Sequence, residues 1–230
     1  DKRVRQAFYQ AIDIETIKTK LMNGQAVPTG AVVPSPLAHG NDAEVEKRLP
    51  YDVAAAQKLM VEAGYPDGFE VTLDCPNNRY INDEEICIAL ASMWSKLKVK
   101  VKVNAMPRVT YFAKTQKMDT SLYMLGWGGS ITDPEVTFTP IYRNRAPGGI
   151  GEWNWGNYKN DKLDALAAAS SKEADPIKRK ALIKQVFQEH NAQVHHLPLH
   201  RQFIPWAARQ NVTVFHRADN WLEWQWITVK

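Results

Sequence analysis

Between Phe69 and Leu125 the hydrophobic pattern alternates between a two-residue and a helical period, and that succession constrains the fold more than any other feature. Phe69, Val71 and Leu73 alternate as in a strand. A helix then opens at Asn82 with capping-box spacing to Glu85 and with Asp83 and Glu84 at the positive end of its dipole, and it runs to about Leu97. Val99, Val101 and Val103 alternate with lysines as a second strand, a helix covers Arg108 to Gln116, and the apolar run Leu122 to Leu125 reads as a third strand. Strands joined through helices at this spacing pair in parallel, so the chain is expected to be α/β, with a parallel-rich sheet flanked by helices.

The third strand stops at Gly126, passes through Trp127, Gly128, Gly129 and Ser130, and meets the helix-start signal Asp133-Pro134. Open α/β sheets bind ligands outside the carboxyl ends of their strands. Two readings stand for this loop: a tight turn built by Gly128 and Gly129, or the rim of a ligand site with Trp127 as its wall.

Elsewhere the pattern is mostly helical. Val4, Phe8 and Ile12 share one helical stripe; Asp13 caps a second short helix that Gly24 closes. Pro28, Gly30, Pro34, Pro36, Gly40 and Pro50 make residues 25–50 a long surface loop. Asp52 caps a helix ended by Gly64, and Tyr65-Pro66-Asp67-Gly68 forms a turn. Residues 143–158 form a loop rich in glycine and aromatics, including Trp153, Trp155 and Tyr158. Asn160 or Asp161 caps a helix, Asp175-Pro176 starts a longer one, and Leu197–Ile204 and Asn211–Phe215 read as strands. Trp221, Trp224 and Trp226 crowd the last ten residues, a density that a folded protein covers with some partner surface.

Bulk properties exclude several classes. The net charge of +4 is slight and its lysines and arginines are scattered, so nucleic acid is not an expected partner. No apolar run approaches the roughly 20 residues that cross a bilayer. The chain opens in helical pattern with no leader, which marks it as an expected fragment of a longer protein. Cys75 and Cys87 lack the close second pair of a zinc ribbon; they are either reduced core residues or a bridge in an oxidising compartment.

Candidate chemistry is sparse. His190, His195, His196 and His200 lack a metal-ligand spacing, and a helix end that favours positive charge accounts for them. There is no nucleophile elbow, Walker loop or dinucleotide fingerprint. Asp83, Glu84 and Glu85 cap a helix, as does Asp133. No catalytic residue, metal or cofactor is expected. The remaining signal is aromatic and small residues in loops, the composition of a concave binding site.

Several segments resemble, in order, the C-terminal lobe of the extracellular solute-binding proteins of peptide and nickel ABC importers, family 5. They are VRQAFYQAID from Val4, PYDVAAAQKLMVEAGYPDGFEVTL from Pro50, NDEEICIALASMWSKLKVKVKV from Asn82, the Gly-Trp and Asp-Pro pairs at 126–134, NWGNYKNDKLDAL from Asn154, DPIKRKALIKQV from Asp175 and HHLPLHRQF from His195. The resemblance implies a periplasmic-binding-protein-like lobe over 1–205, one of two that close on a ligand, and a crossover tail at 206–230 that packs on the other lobe. It implies a periplasmic or lipid-tethered receptor that hands a small peptide-like or other polar solute to membrane permease subunits.

At residue level, the resemblance puts Ser130 where peptide-binding members hold the ligand ammonium with an aspartate. A neutral hydroxyl cannot supply that charge-assisted bond, which argues against free-amine peptides. It puts Arg79 beside the arginine that takes the ligand carboxylate in dipeptide-binding members, the other reading being a solvated loop arginine. The expected ligand-binding set is Arg79, Trp127, Gly128, Ser130, Trp153 and Trp155. Two functions of other classes remain: a hydrolase on an α/β scaffold, which lacks a nucleophile–base pair, and an assembly module centred on the tryptophan tail.

Overall fold

The computed structural model describes residues 1–33, 43–128, 133–217 and 219–230. Helix α1 (Lys2–Gln10) and α2 (Ile14–Thr16), extended by a π-helical turn over Ile17–Leu21, lead into strand β1 (Ala26–Pro28), α3 (Ala43–Glu46) and α4 (Val53–Glu62). Then come β2 (Glu70–Pro76), α5 (Asp83–Trp94), β3 (Lys100–Met106), α6 (Arg108–Thr115) and β4 (Leu122–Tyr123). Helix α7 (Glu135–Thr137), continued by a π-helical turn over Phe138–Tyr142, precedes α8 (Asp161–Ser170), α9 (Pro176–Gln193), β5 (His200–Gln202), β6 (Val212–Thr213) and β7 (Thr228–Val229).

The central sheet is parallel, in the order β3-β2-β4. Side chains alternate along β2: Leu73 and Cys75 enter the core shared by α1, α4 and α5. Asp74 faces the opposite side, where Lys114 of α6 reaches it at 2.9 Å and Asn104 of β3 donates to it at 2.7 Å. The Asp74 carboxylate is almost wholly buried, so these two donors supply what water would. The expected third strand shrinks to Leu122–Tyr123: Met124 N still donates to the Asp74 carbonyl at 3.1 Å, but Pro76 at the end of β2 has no N–H for the Met124 carbonyl, which takes the Tyr111 hydroxyl instead.

Apolar packing divides between the two sides of the molecule. Phe8, Ile12, Met60, Leu73, Ile86, Leu90 and Trp94 form the α1–α4–α5 core. Each such side chain contributes about 1.5–3 kcal/mol by burial. Trp94 also satisfies its indole N–H on the Phe8 carbonyl at 2.9 Å. Phe138, Ile141, Tyr142, Leu163, Ile183 and Phe187 form a second core between the α7 turn, α8 and α9. A third, aromatic cluster of Met106, Tyr111 and Trp155 shares Leu125 and Trp153 with the second.

Local caps form where expected. Asp52 accepts from Ala55 N, Asn160 from Leu163 N, and Asp175 from Ile177 N and Lys178 N. Asp133 accepts from Glu135 N and pairs with Arg179 at 2.7 Å. Asn82 departs from the expected capping box. It sits in the left-handed region at φ 54°, makes no cap and donates its amide to the Leu21 carbonyl at 2.6 Å. Residues 25–50 are not all loop: β1 and α3 lie within them, and β1 pairs antiparallel with β5. The strands expected over 197–204 and 211–215 contract to β5 and β6, whose short partners β1 and β7 limit the ladders.

The histidines also depart from expectation. His190 is buried, stacks on Tyr142 at 3.8 Å and shares a 2.8 Å hydrogen bond with His196; His195 stacks on Tyr158 at 3.8 Å. Burial pushes the pKa of His190 well below the usual range and those of His195 and His196 down to about 4. They are neutral packing groups, not cations for a helix end. The last carbonyls of α9 are taken instead by Arg5, which donates to Gln193 O and Val194 O.

Candidate functional site

Two loops leave the carboxyl edge of the sheet from neighbouring strands: residues 77–82 after β2 and residues 124–128 after β4. A sheet ordered β3-β2-β4 reverses its winding between β2 and β4, and the crevice beside such a reversal is where α/β folds accept ligands.

The first loop is held by its backbone. Asp83, buried at the start of α5, accepts from Arg79 N at 2.9 Å and from Tyr80 N at 3.0 Å. Asn78 accepts from Arg108 N at 2.8 Å, joining the loop to the start of α6. Asn77 N donates to the Met106 carbonyl at 3.0 Å. With its main chain fixed, the loop leaves the Arg79 side chain exposed, its guanidinium 4.9 Å from the centre of the Tyr80 ring.

Tyr80 joins the two loops. Its hydroxyl donates to the Gly126 carbonyl at 3.4 Å. A Cβ at residue 126 would sit 2.5 Å from a Tyr80 ring carbon, so only glycine permits this approach. Burial raises the Tyr80 pKa, against the opposing pull of the Arg79 charge.

Beyond Gly126 the wall is indole. Trp127 meets Trp153 edge to face at 5.6 Å between centroids, and Trp153 lies 5.0 Å from Trp155. Trp155 is wholly enclosed, packed by Tyr111, Phe112 and Tyr123. Trp127 and Trp153 are only partly buried. Trp153 donates to Glu152 at 2.9 Å, whereas the buried Nε1 of Trp127 has no partner among the described residues.

The structure therefore brings Arg79, Trp127, Trp153 and Trp155 to one edge of the sheet, with Trp155 beneath the surface as a support. Gly128 is exposed and a Cβ there would meet nothing within 4 Å, so the close approach belongs to Gly126. Ser130 lies outside the described residues. Sequence reasoning missed Tyr80 and Asp83 as site builders. Asp83 carried a signal, an acidic residue three and four positions after two loop N–H groups, but helix capping gave the same pattern. Among the described residues no group of three or more histidine, cysteine or acidic side chains could hold a metal ion.

Residues 1–149 match the family model described as bacterial extracellular solute-binding proteins, family 5, middle region. The chain belongs to the family 5 extracellular solute-binding proteins. Among family 5 relatives, the glutathione-binding protein GsiB of Salmonella typhimurium is 27% identical over 190 residues, covering 80% of this chain and 36% of GsiB. The probable deoxycholate-binding periplasmic protein YgiS of Escherichia coli is 29% identical over 207 residues, covering 88% of this chain and 37% of YgiS.

The family 5 fold is equally plain in solved structures. A dipeptide-binding protein from Pseudoalteromonas in complex with Met-Leu superposes with a TM-score of 0.87 at 21% identity, over 100% of this chain and 45% of that one. The periplasmic binding protein DppA of Helicobacter pylori, in complex with the peptide STSA, gives 0.84 at 20% identity, over 100% of this chain and 44% of that one. This chain spans less than half the length of each of these relatives and structures.

Proposed function

We propose that this chain is the C-terminal lobe of a solute receptor serving an ABC importer, working outside the cytoplasm as a periplasmic or lipid-tethered protein. Residues 1–205 form the lobe, and the tail at 206–230 packs on the other lobe of the same protein. The receptor captures a small peptide-like or other polar solute between its lobes and delivers it to the membrane permease. It is a binder and performs no reaction.

One observation carries this reading: Tyr80 against Gly126 locks two ligand-edge loops together while leaving the Arg79 guanidinium exposed beside a half-buried indole wall. An arginine held on a fixed backbone suits a carboxylate, which it grips through two parallel bonds. The faces of Trp127 and Trp153 suit the flat or apolar remainder of a solute, with Gly128 leaving room above them and Trp155 backing them. By sequence, residue 130 is a serine where the resemblance expects an aspartate, so solutes whose amine is absent or blocked are favoured.

Relatives named for glutathione and structures holding peptides make carboxylate-bearing peptides the first ligands to try. In the full-length protein, titration calorimetry with glutathione and a panel of native and N-acetylated dipeptides should find a binder. Arg79→Ala should then weaken it about 10- to 100-fold, the worth of a charge-assisted bond, and Trp127→Ala should also weaken it. Unchanged affinity in both variants would sink the site assignment.

A further inference from the structure

Cys75 and Cys87 are the chain's two cysteines, and solute binding uses neither. Cys75 stands one residue before the end of β2, opposite Ala105 in the ladder, and points to the α5 side of the sheet with Leu73. Cys87 lies in the second turn of α5, which packs on that face. Both are 0% exposed within one core cluster. Within that cluster the Cys75 side chain is the foremost influence on the Cys87 thiol, which makes the two side chains neighbours. That contact, with burial behind it, raises the Cys87 pKa far above an ordinary thiol's. Both are free thiols in this structure.

Two buried cysteines can serve as small apolar residues, each packed on aliphatic neighbours. Here the two sit on facing elements, the end of β2 and the second turn of α5, in one apolar cluster. A bridge between them would join the end of β2 to the helix packed on it. We propose that Cys75 and Cys87 are a disulfide-forming pair, oxidised by exchange with a small-molecule or protein disulfide.

The exchange balances as follows. One cysteine, its proton lost to solvent, attacks a sulfur of the oxidant, forming a mixed disulfide and expelling one oxidant thiolate. The second cysteine, likewise deprotonated, attacks the protein sulfur of that mixed disulfide. The Cys75–Cys87 bond forms, the oxidant's other thiolate leaves, and the oxidant's disulfide has become two thiols. The protein has given up two electrons and two protons. Because both sulfurs are enclosed and Cys87 is held protonated, the folded thiol form reacts slowly. The bridge closes while α5 is undocked, during folding or local opening. Only the place of oxidation rests on the extracytoplasmic reading above; the pairing itself does not.

The bridge spans the segment that carries Arg79, Tyr80 and Asp83. It would clamp the end of β2 to α5 on either side of the candidate ligand loop.

The test takes the full chain through unfolding and refolding in a mixture of reduced and oxidised glutathione. The product is denatured without reductant, alkylated and weighed. The expected product carries no alkyl adduct and is lighter than the reduced chain by two hydrogens. Two adducts, or glutathione retained as a mixed disulfide, overturns the pairing. Cys87→Ala, with one cysteine left, must carry a single adduct or a single glutathione, which checks the chemistry independently of stability. The oxidised chain should unfold roughly 5–10 °C above the reduced chain. It should also show slower amide exchange across 77–82, and equal exchange in the two forms overturns the clamp.

Discussion

Gly126 is the residue on which the candidate site turns. Its missing Cβ lets the Tyr80 ring lie against the main chain, and that contact holds Arg79 and Trp127 on adjoining loops. Gly126→Ala places a methyl 2.5 Å from a ring carbon, so the rings or the loop must give way. Overpacking of this kind costs about 1–3 kcal/mol. Urea denaturation should show that loss for Gly126→Ala alone, and much less of it when Tyr80→Ala is added. A double variant no better than the sum of its parts would mean that the two residues are not in contact. At this scale the sequence is readable only where a partner is near. The caps at Asp52, Asn160 and Asp175 bond to residues two or three positions away; Asp52 and Asp175 are expected from the sequence, and Asn160 is one of the two readings it leaves open. Asn82 bonds to Leu21, a partner 61 positions back that no local pattern reveals. The same distance hides the meeting of Tyr80 with Gly126.

Among the elements, the end of α9 and the segment after it are built on neutral histidines. Their folded pKa values lie below the unfolded value of about 6.5, so the unfolded chain binds protons more readily as pH falls. Stability is therefore full above pH ~7 and is lost as pH drops below about 6.5, with His195 and His196 taking up protons in the folded chain only near 4. His196, partly buried against His190 and Tyr142, accounts for up to about 3 kcal/mol of that loss. Denaturation midpoints measured from pH 7.5 down to 4.5 should follow this course, and His196→Gln should flatten it. A profile unchanged by His196→Gln would remove this histidine as the cause. The expectation of positive charge here came from helix-end position alone. Burial against Tyr142 and Tyr158, which joins residues far apart in the chain, reverses it. The βαβαβ core, by contrast, was legible because each element carries its own period. Its shortest member, β4, was overestimated because apolar character continues through Met124 and Leu125 after the ladder has ended.

For the molecule as a whole, the main departure from an ordinary surface is the tail. Trp221, Trp224 and Phe215 are 66%, 75% and 61% exposed, and Trp226 is nearly half exposed beside Phe215. Bare indoles at this density promote association. Sedimentation of this chain should show concentration-dependent oligomers, which Trp221→Ser with Trp224→Ser should diminish. In the two-lobe protein the same tryptophans should be protected from quenching by acrylamide. Equal quenching in this chain and in the longer protein would refute the covering of the tail by the other lobe. The tryptophan cluster was visible in the sequence; that nothing among the described residues covers it was not, since coverage is a property of the folded surface.

The β1–β5 ladder ties Ala26–Pro28 to His200–Gln202, and Arg48 reinforces it by donating to the carbonyls of Thr29 and Leu199. In kinetic terms this is a costly contact to reach. It closes a loop of roughly 175 residues for the return of a three-residue ladder, whereas β2 and β3 find each other across a single helix. The sheet that presents the candidate site can thus assemble first, and the seam joining the two ends of the lobe closes over it afterwards.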